Sequence, residues 1–286
     1  MDTSDLANRM KEYEKRNQYY LQKRTPVVIR VDGRSFHTFT KGFQRPFDDV
    51  LIKTMQETAK YMCENIQGAK FAYVQSDEIT IILTDYDTLE TDCWFNYRTD
   101  KLCSISASMA TMAFNKFFYV NATAEKNKIE KETGADGPHP RYANEYYKAL
   151  NRAIDKGAMF DARCFNIPKE EVTNLIYWRQ LDATRNSIQM VGQANFSHKE
   201  LQNKSCNNIQ DMLHEQKGIN WNNFPTYQKR GTCVIKEEYY PEPVKGYENC
   251  EINVLDVRTR WIIDTEMPIL KGEDRAYIDD LIYIGK

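Results

Sequence analysis

The sequence predicts an α+β fold built on a ferredoxin-like antiparallel sheet in the order βαββαβ, with an α-rich C-terminal extension. Three observations predict this fold. Short runs of β-branched residues alternate with segments of helical periodicity in that order. Two acidic turn sequences follow or join strands of this set. The helical segments that remain lie mostly in the second half of the chain.

The first 83 residues supply two predicted helices and three predicted strands. A run of β-branched residues ends at Asp32-Gly33, which is typical of a buried strand that enters a tight turn. Ser76-Asp77-Glu78 joins two further strands and gives a hairpin with an acidic tip. The predicted elements are helix Asp5–Leu21, strand Pro26–Val31, helix Phe47–Ile66, strand Lys70–Gln75 and strand Ile79–Leu83.

The rest of the chain completes the sheet and then becomes helical. Residues 121–142 are polar and contain Gly134, Gly137, Pro138 and Pro140, so the pattern predicts a loop or insertion there. The predicted elements are helix Asp100–Val120, strand Ala158–Ile167, a helix from Pro168 to about Asp182, further helix to about Gln216, and short strands Gly231–Tyr239 and Leu255–Ile263. This order is found in nucleic-acid polymerase palms and nucleotidyl cyclases, but a fold alone does not give a function.

Composition excludes several classes of protein. Hydrophobic residues make up 41% and charged residues 28% of the 286 residues, as in ordinary globular proteins. No apolar run approaches the roughly 20 residues that cross a bilayer, and the N-terminus is polar, so we expect a cytoplasmic protein with no membrane partner. The seven cysteines include no CxxC pair, which argues against a disulfide framework or a zinc site. With a net charge of -2, any RNA-binding charge must be gathered on one face.

Asp32 and Asp77 are the strongest candidate site residues. In a split βαβ unit the first strand and the hairpin lie side by side, so the two carboxylates should converge at one end of the sheet. Adjacent carboxylates repel each other unless a cation lies between them, and hard oxygen ligands suit Mg²⁺. Gly33 allows a close backbone approach to a metal or phosphate. The amides of residues 35–37 could form a nest for a triphosphate, with Arg34 as a further phosphate contact.

Each of these features also has a purely structural interpretation. A strand that ends in Asp-Gly is usually a simple turn, and an acidic hairpin tip is usually solvated. Their matching positions in one topology favour a shared metal site. The roles of Glu78 and His37 stay open, because Glu78 should point away from Asp77 along the strand and His37 could be structural or catalytic.

Basic residues mark two possible contacts with nucleotides or RNA. Arg98, Lys101 and Ser104 fall on about one face of a predicted helix, where they could meet a second nucleotide or an RNA 5′-phosphate, or only solvent. Weaker RNA-binding candidates lie in the C-terminal half, namely Arg179, Arg185, Asn186, Lys199 and Arg230.

Several ordered motifs are similar to those of the histidine tRNA guanylyltransferase superfamily. Two of them contain the candidate acids: Arg30-Val-Asp-Gly-Arg-Ser-Phe-His37 and Tyr73-Val-Gln-Ser-Asp-Glu78. The resemblance extends from about Asp5 to Gly231. The other matching segments are Met10-Lys-Glu-Tyr-Glu14, Phe160-Asp-Ala-Arg163, Tyr177-Trp-Arg-Gln-Leu-Asp182, Gly218-Ile-Asn-Trp-Asn222 and Lys229-Arg-Gly231.

The resemblance implies an enzyme that adds nucleotides in the 3′-to-5′ direction. Two Mg²⁺ ions would be held by Asp32, the Gly33 carbonyl and Asp77. Residues 32–37 (Asp32, Gly33, Arg34, Ser35, Phe36 and His37), with Ser76 and Asp77, would hold the nucleoside triphosphate. ATP and GTP would be substrates and tRNA the partner, and such enzymes often form homotetramers.

One segment departs from the eukaryotic pattern. Where those members carry His-Ile-Asn-Asn-Leu-Tyr-Asn, this chain reads Thr184-Arg-Asn-Ser-Ile-Gln-Met190, and Asn186 alone survives. The chain thus resembles the guanylyltransferase-like branch, which implies template-dependent repair of tRNA 5′ ends. Guanylate addition to histidine tRNA, a nucleotidyl cyclase and an idle RNA-binding module are the alternatives.

The predicted organisation follows from these assignments. Residues 1–138 would form a palm-like catalytic domain. Residues 139–286 would form a C-terminal domain that contributes a strand to the palm and carries RNA-binding helices.

Overall fold

A single six-stranded antiparallel sheet organises the protein, which we describe from a computed structural model over residues 4–133, 141–240 and 257–283. The strand order is β4-β1-β3-β2-β5-β6. Because β3 lies between β1 and β2, these strands form a split βαβ unit, and the predicted ferredoxin-like α+β fold is confirmed. The strands are β1 (Val27–Gly33), β2 (Ala69–Gln75), β3 (Glu78–Leu83), β4 (Phe160–Asn166), β5 (Thr232–Tyr239) and β6 (Arg258–Asp264).

Helices cover both faces of the sheet. None of the helices in the described ranges is long and apolar enough to cross a membrane. The helices are α1 (Asp5–Lys15), α2 (Phe36–Phe39), α3 (Asp49–Asn65), α4 (Thr99–Thr133), α5 (Arg141–Lys156), α6 (Lys169–Asn195), α7 (His198–Leu201), α8 (Cys206–Lys217), α9 (Thr226–Arg230) and α10 (Ala276–Ile282), with 3₁₀ turns at Trp94–Tyr97, Trp221–Asn223 and Gly272–Arg275.

Alternate residues of β1 point to two different cores. Val27, Ile29 and Val31 belong to the larger core with residues of α3, α4 and α5. Val28 faces the opposite side, where α6 and α10 pack. This period of two fixes the direction of the polar residues too, so Asp32 lies on the same face as Val28. A third, smaller apolar cluster joins the C-terminal part of α6 to α8.

Helix α1 is shorter than predicted, because it ends at Lys15 instead of Leu21. The residues that follow pair with the segment before α4. Tyr20 forms a β-bridge with Arg98, and the Leu21 amide donates to the carbonyl of Tyr97 (3.0 Å). Tertiary pairing therefore overrides the local helical pattern here.

The loop predicted for residues 121–142 is wrong over its first part, since α4 continues to Thr133. Polar residues in this stretch have partners on α3: the Asn121 side chain donates to Glu57 Oε2 (2.7 Å) and to Thr54 Oγ1 (3.2 Å). Residues 134–140 of the predicted loop lie outside the described residues.

The prediction from the sequence misses one helix, α5, and makes another, α6, too short. Helix α5 is not predicted, although Tyr146, Ala149, Leu150 and Ala153 form a buried apolar face at helical spacing. Helix α6 continues to Asn195, well past the expected end near Asp182. Of the last predicted strand, residues 255–256 lie outside the described residues, and β6 begins at Arg258.

The strands contributed by the second half of the chain join the same sheet as those of the first. β4 pairs with β1, and β5 pairs with β2. The predicted boundary between residues 138 and 139 lies outside the described residues, so the division into two domains stays a prediction.

Candidate active site

The backbone brings Asp32 and Asp77 together at one end of the sheet. Asp32 is paired with Glu78 across β1 and β3. The amide of Gly33 donates to the carbonyl of Asp77 (3.1 Å), which fixes the β2–β3 turn against the end of β1. The two acids, 45 positions apart in the chain, therefore become neighbours, while their catalytic role stays a prediction.

The carboxylate of Asp77 forms no ion pair within the described ranges. Burial raises the pKa of Asp77. The hydrogen bond that its carboxylate accepts from the Ser76 hydroxyl (3.0 Å) lowers this pKa, but by less than burial raises it. The nearby charges of Asp32 and Glu78 raise this pKa further. The surroundings of Asp77 therefore disfavour its charged form.

Asp32 is in a similar position, with one weak cationic contact. Burial raises its pKa, as do the charges of Glu78 and Asp161. Nη2 of Arg163 lies 3.5 Å from the carboxylates of both Asp32 and Asp161, and its side chain is largely exposed. Unfavourable negative charge thus collects at this end of the sheet, and a bound cation would relieve it.

The chemistry of this donor set fits Mg²⁺ bound together with a phosphate ligand. Within the described ranges, no group of three or more His, Cys, Asp or Glu side chains could hold a metal ion by itself. Asp32 and Asp77 supply hard oxygen atoms, and Mg²⁺ typically takes one or two carboxylates and completes its coordination with phosphate and water. A closed protein cage is therefore not required.

Gly33 is required by packing. A Cβ atom at this position would lie 2.2 Å from the ring of Phe36, so no other residue fits without displacing that ring. Phe36 is buried and packs against Phe39, Phe114 and Phe160 at centroid distances of 5.2 to 5.5 Å. The sequence explains Gly33 by a close approach to metal or phosphate, and the structure adds the aromatic cluster as a second reason.

The turn after Gly33 presents backbone amides beside the acids. Ser35 adopts a left-handed conformation (φ 56°) and precedes the short helix α2. The Arg34 amide donates to the carbonyl of Met159 (2.8 Å), so this amide is not available to a ligand. The next amides, of Ser35, Phe36 and His37, lie at the start of α2, where the amides have no intrahelical acceptor. Because the Phe36 ring is buried, this residue can meet a ligand only through its backbone.

A cleft of about 470 Å³ opens beside Asp77, and we call it the Asp77 cleft. Four of its lining residues are predicted site residues, and the structure adds Lys41, Arg45 and Asp48. The first two are exposed loop residues with no sequence signal, and the sequence pattern assigns Asp48 only to a helix start. The residues that line it are Phe36, His37, Thr40, Lys41, Phe43, Gln44, Arg45, Pro46, Asp48, Leu51, Ser76, Asp77, Met190 and Gln193.

Glu78 occupies a different electrostatic environment from its neighbour Asp77. The Arg179 guanidinium donates to both of its carboxylate oxygens (2.8 and 2.9 Å), and Arg30 Nε lies 3.5 Å from it. Arg179 also donates to Asp182 (3.0 Å) and is only 9% exposed. We define this group as the Glu78–Arg179 cluster. Its geometry does not support the prediction that Arg179 contacts RNA.

The other predicted RNA-binding residues of the C-terminal half are more accessible. Arg185 is exposed but forms an ion pair with Asp182. The Asn186 side chain donates to the same carboxylate (3.4 Å). Lys199 is exposed on α7, and Arg230 is half-buried at the end of α9. Their contact with RNA stays a prediction.

The start of α4 is not close to the two acids. Helix α4 runs past β4 so that the Thr111 hydroxyl accepts from the Phe160 amide (3.2 Å), at the end of the sheet that carries the acids. Lys101 lies ten residues earlier, about 15 Å along the helix, and Ser104 about 10 Å. Arg98 pairs with Asp100 (2.8 Å) instead of facing the acids. The geometry gives the predicted nucleotide-binding role of Lys101 and Ser104 no support.

Solved structures share this fold along nearly the whole chain. A bacterial tRNA(His) guanylyltransferase (Thg1)-like protein in complex with ATP is 40% identical, with a TM-score of 0.75, and the match covers 98% of this chain and 100% of that one. Such a protein in complex with GTP is 38% identical, with a TM-score of 0.71 and the same coverage of both chains. Together with the paired acids at the sheet end, these matches define the protein as a nucleotidyltransferase.

The family is identified by sequence. The model of the family described as "Thg1: tRNAHis guanylyltransferase" matches residues 7–168. The tRNA(His) guanylyltransferase of Saccharomyces cerevisiae is 28% identical over 225 residues, 74% of this chain and 82% of the relative. A protein of Acanthamoeba polyphaga mimivirus, named "Uncharacterized protein R259", is 27% identical over 84% of this chain and 80% of its own length. This chain belongs to the tRNAHis guanylyltransferase family, as the sequence motifs predicted.

Proposed function

We propose that the protein adds nucleotides to the 5′ end of tRNA in the 3′-to-5′ direction, directed by a template, and thereby repairs truncated 5′ ends. The observation that carries the proposal is the pair of partner-poor carboxylates, Asp32 and Asp77, beside a cleft large enough for a nucleotide. The names of the relatives support tRNA as the substrate, and the complexes of related proteins with ATP and GTP support those two nucleotides as substrates.

Asp32, Asp77 and the Gly33 carbonyl would hold two Mg²⁺ ions, because they are the oxygen donors that meet at this end of the sheet. When bound, a pair of such ions stabilises the attacking and leaving oxygens of an in-line displacement at phosphorus. The protein contributes the fixed geometry: the Gly33–Asp77 hydrogen bond holds the two acids in register, and the Phe36 ring holds the turn that follows.

The triphosphate would lie along the turn and the Asp77 cleft. The amides of Ser35, Phe36 and His37 would donate hydrogen bonds to phosphate oxygens, and the Ser76 hydroxyl, which donates to Asp77 in this structure, would lie beside the phosphates. Arg34, Lys41 and Arg45 would add positive charge. Asp48 is held in place by hydrogen bonds from the amides of Leu51 (2.9 Å) and Gln44 (3.0 Å), and so presents a fixed polar group in the cleft.

Two displacements at phosphorus make up the reaction. First, an oxygen of the RNA 5′-monophosphate attacks the α-phosphorus of ATP, pyrophosphate leaves, and the 5′ end becomes adenylylated. Then the 3′-hydroxyl of the incoming nucleotide attacks the phosphorus of the RNA 5′ end, AMP leaves and the hydroxyl proton passes to solvent. The same site can serve both steps, because each is an in-line attack on a phosphorus atom at the end of the sheet that carries Asp32 and Asp77.

The altered segment Thr184–Met190 favours repair over obligatory guanylate addition. In this structure the segment lies within α6, where the Thr184 hydroxyl donates to the Gln180 carbonyl (2.9 Å) and Asn186 to Asp182. Guanylate addition to histidine tRNA is the alternative, and the names of the curated relatives favour it.

The test uses a tRNA that lacks its first nucleotide and carries a labelled 5′-monophosphate, incubated with ATP, the four triphosphates and Mg²⁺. We expect a product one nucleotide longer, whose label resists phosphatase and whose added base complements the template position. A full-length histidine tRNA tests guanylate addition, and triphosphate without RNA tests a cyclase. If the truncated tRNA is not extended, while a repair-competent relative extends it, the proposal is wrong.

A cytoplasmic location and a homotetrameric assembly stay predictions. Gel filtration with light scattering measures the second directly.

A further inference from the structure

We propose that a second cavity, separate from the nucleotide cleft, binds the backbone of the RNA strand next to its reactive end. It measures about 500 Å³ and lies between the C-terminal part of α6, helix α7 and the start of α8. Arg45 and Gln193 line both this cavity and the Asp77 cleft, so the two spaces are adjacent. We call it the α7 cavity. The inference rests on the proposed function, since it assumes an RNA substrate.

The lining of the α7 cavity is cationic and neutral, without a carboxylate. Arg45, His198 and Lys204 supply basic groups, and glutamine amides lie between them. The one acid of α7, Glu200, is turned to the start of its helix, where its Oε2 accepts from the amide (2.8 Å) and hydroxyl (2.6 Å) of Ser197. Such a surface binds phosphate groups, whose contacts are mostly cations and polar donors.

Arg45 and Lys204, the two permanent cations of this cavity, differ from Arg179 and Arg185 of α6 in having no acidic partner among the described residues. Arg179 and Arg185 are both paired with Asp182. In the part of the chain that the structure describes, no ion pair involves Arg45, His198 or Lys204. Unpaired positive charge next to an active site is available to an anionic ligand without first breaking a salt bridge.

The apolar part of the lining favours a nucleotide unit of a polymer. Phe196 and Ile209 are buried apolar residues of this lining, whereas Arg45 and Lys204 are exposed. A base or ribose can pack on the apolar residues while its phosphate meets the exposed cations. Because the cavity adjoins the Asp77 cleft through Arg45, a strand whose 5′ end lies at Asp77 can continue into it.

The proposal distinguishes two lysines that lie close together in the sequence, Lys199 and Lys204. Lys204 lines the cavity, whereas Lys199 is exposed on α7 outside its lining. We therefore expect Lys204 to contribute more to RNA binding than Lys199.

The experiment compares Lys204→Glu, His198→Ala and Lys199→Glu with Lys23→Glu as a charge-matched control. Lys23 lies near Gln22, whose amide donates to Asn166 at the opposite end of the sheet from the acids. Both Lys204 and Lys23 are exposed, so neither change should disturb folding, which circular dichroism checks. The readouts are the Kd for the truncated tRNA over a range of salt, and the KM values for tRNA and for ATP.

We expect Lys204→Glu to raise the Kd and the KM for tRNA about tenfold or more, with the KM for ATP unchanged. The slope of log K against log salt should fall by about 1 for each phosphate that the protein no longer neutralises. A 5′-phosphorylated oligonucleotide too short to reach the cavity should be insensitive to the change.

Two results would overturn the inference. One is a Lys204→Glu variant that binds tRNA like the wild type. The other is equal weakening by Lys23→Glu, which would show an effect of net charge alone. Failure of the proposed function is distinguishable, because the wild-type protein would then not extend the truncated tRNA, whereas failure of this inference leaves wild-type extension intact.

Discussion

Two pairs of carboxylates lie at the same end of the sheet but have opposite surroundings. Glu78 and Asp182 share the Arg179 guanidinium, with hydrogen bonds of 2.8 to 3.0 Å. Asp32 and Asp77 have no comparable cation among the described residues, and the pKa of each is raised by burial. Arg179 neutralises the first pair within the fold. The second pair would need a bound cation to neutralise it. We infer from this difference that Asp32 and Asp77, and not Glu78 and Asp182, are the acids that a metal ion would bind.

The contrast is sharpest between Asp77 and Glu78, which are adjacent in the chain. Asp77 lies in the β2–β3 turn, where its carboxylate accepts a hydrogen bond from the neutral Ser76 hydroxyl. Glu78 begins β3 and points to the face of the sheet covered by α6. Of these two adjacent residues, Asp77 is thus a candidate metal ligand and Glu78 is part of a structural ion pair.

The largest expected effect comes from removing the charge of the partner-poor pair. We expect Asp32→Asn or Asp77→Asn to lower the rate of nucleotide addition by about a thousandfold or more, since a metal ion supplies several kcal/mol of transition-state stabilisation and each 1.36 kcal/mol is a factor of about ten. Single-turnover assays measure the rate. Asp161→Asn is the matched control, because Asp161 lies opposite Asp32 on β4 and is exposed. If all three variants lose the same fraction of the rate, Asp32 and Asp77 do not differ in function from the other acids at this end of the sheet.

Breaking the internally neutralised pair should instead reduce stability. Arg179→Met leaves Glu78 with little solvent and without its main partner, which should cost about 3–5 kcal/mol of the free energy of unfolding. Urea denaturation measures this cost. The double variant Arg179→Met with Glu78→Gln should recover part of it, because the uncompensated charge is removed. A double-mutant cycle without coupling would show that the ion pair is not important.

Metal ions and pH should both change the stability that the partner-poor pair, Asp32 and Asp77, contributes. Since the folded state raises the pKa of both aspartates, it binds protons more tightly than the unfolded state. Their contribution to stability is therefore full at pH values below the ordinary aspartate pKa and is lost as the pH rises through the raised pKa.

Denaturation between about pH 4 and 7 tests this sign. In EDTA we expect stability to fall with pH in the wild type and to fall less in Asp77→Asn. At neutral pH, Mg²⁺ at about ten times its Kd should restore about 1.4 kcal/mol to the wild type and nothing to the variant. A Mg²⁺ effect that survives Asp77→Asn would place the ion elsewhere.

The sequence identifies the site residues that lie within recognisable local patterns, but not the ion pairs between distant elements. The β1 run and the β2–β3 hairpin are visible as β-branched segments with acidic turns, so Asp32 and Asp77 could be found. The partner of Glu78 could not, because Arg179 is 101 residues away and faces it only after α6 packs on the sheet. For the same reason the sequence alone presents Arg179 as a free cation.

The errors in the fold have a similar origin. The end of α4 is polar, and its Asn121 finds partners on α3 that no local pattern reveals. Arg45 joins the site only because the loop before α3 lines the Asp77 cleft. Sequence patterns identify elements and their ends, whereas the pairing of charges between distant elements is decided by packing.

The smallest expected effect concerns Arg185. This residue forms an ion pair, like Arg179, but its side chain is mostly exposed to solvent. It pairs with Asp182 but is 61% exposed, and exposed ion pairs contribute at most about 1 kcal/mol. Arg185→Ala should therefore lower the free energy of unfolding by less than Arg179→Met does, because Asp182 keeps its bond to Arg179. If Arg185 also contacts RNA, the Kd for tRNA should rise in this variant while its unfolding curve stays close to that of the wild type. An unchanged Kd would place Arg185, like Arg179, with the residues that serve the fold.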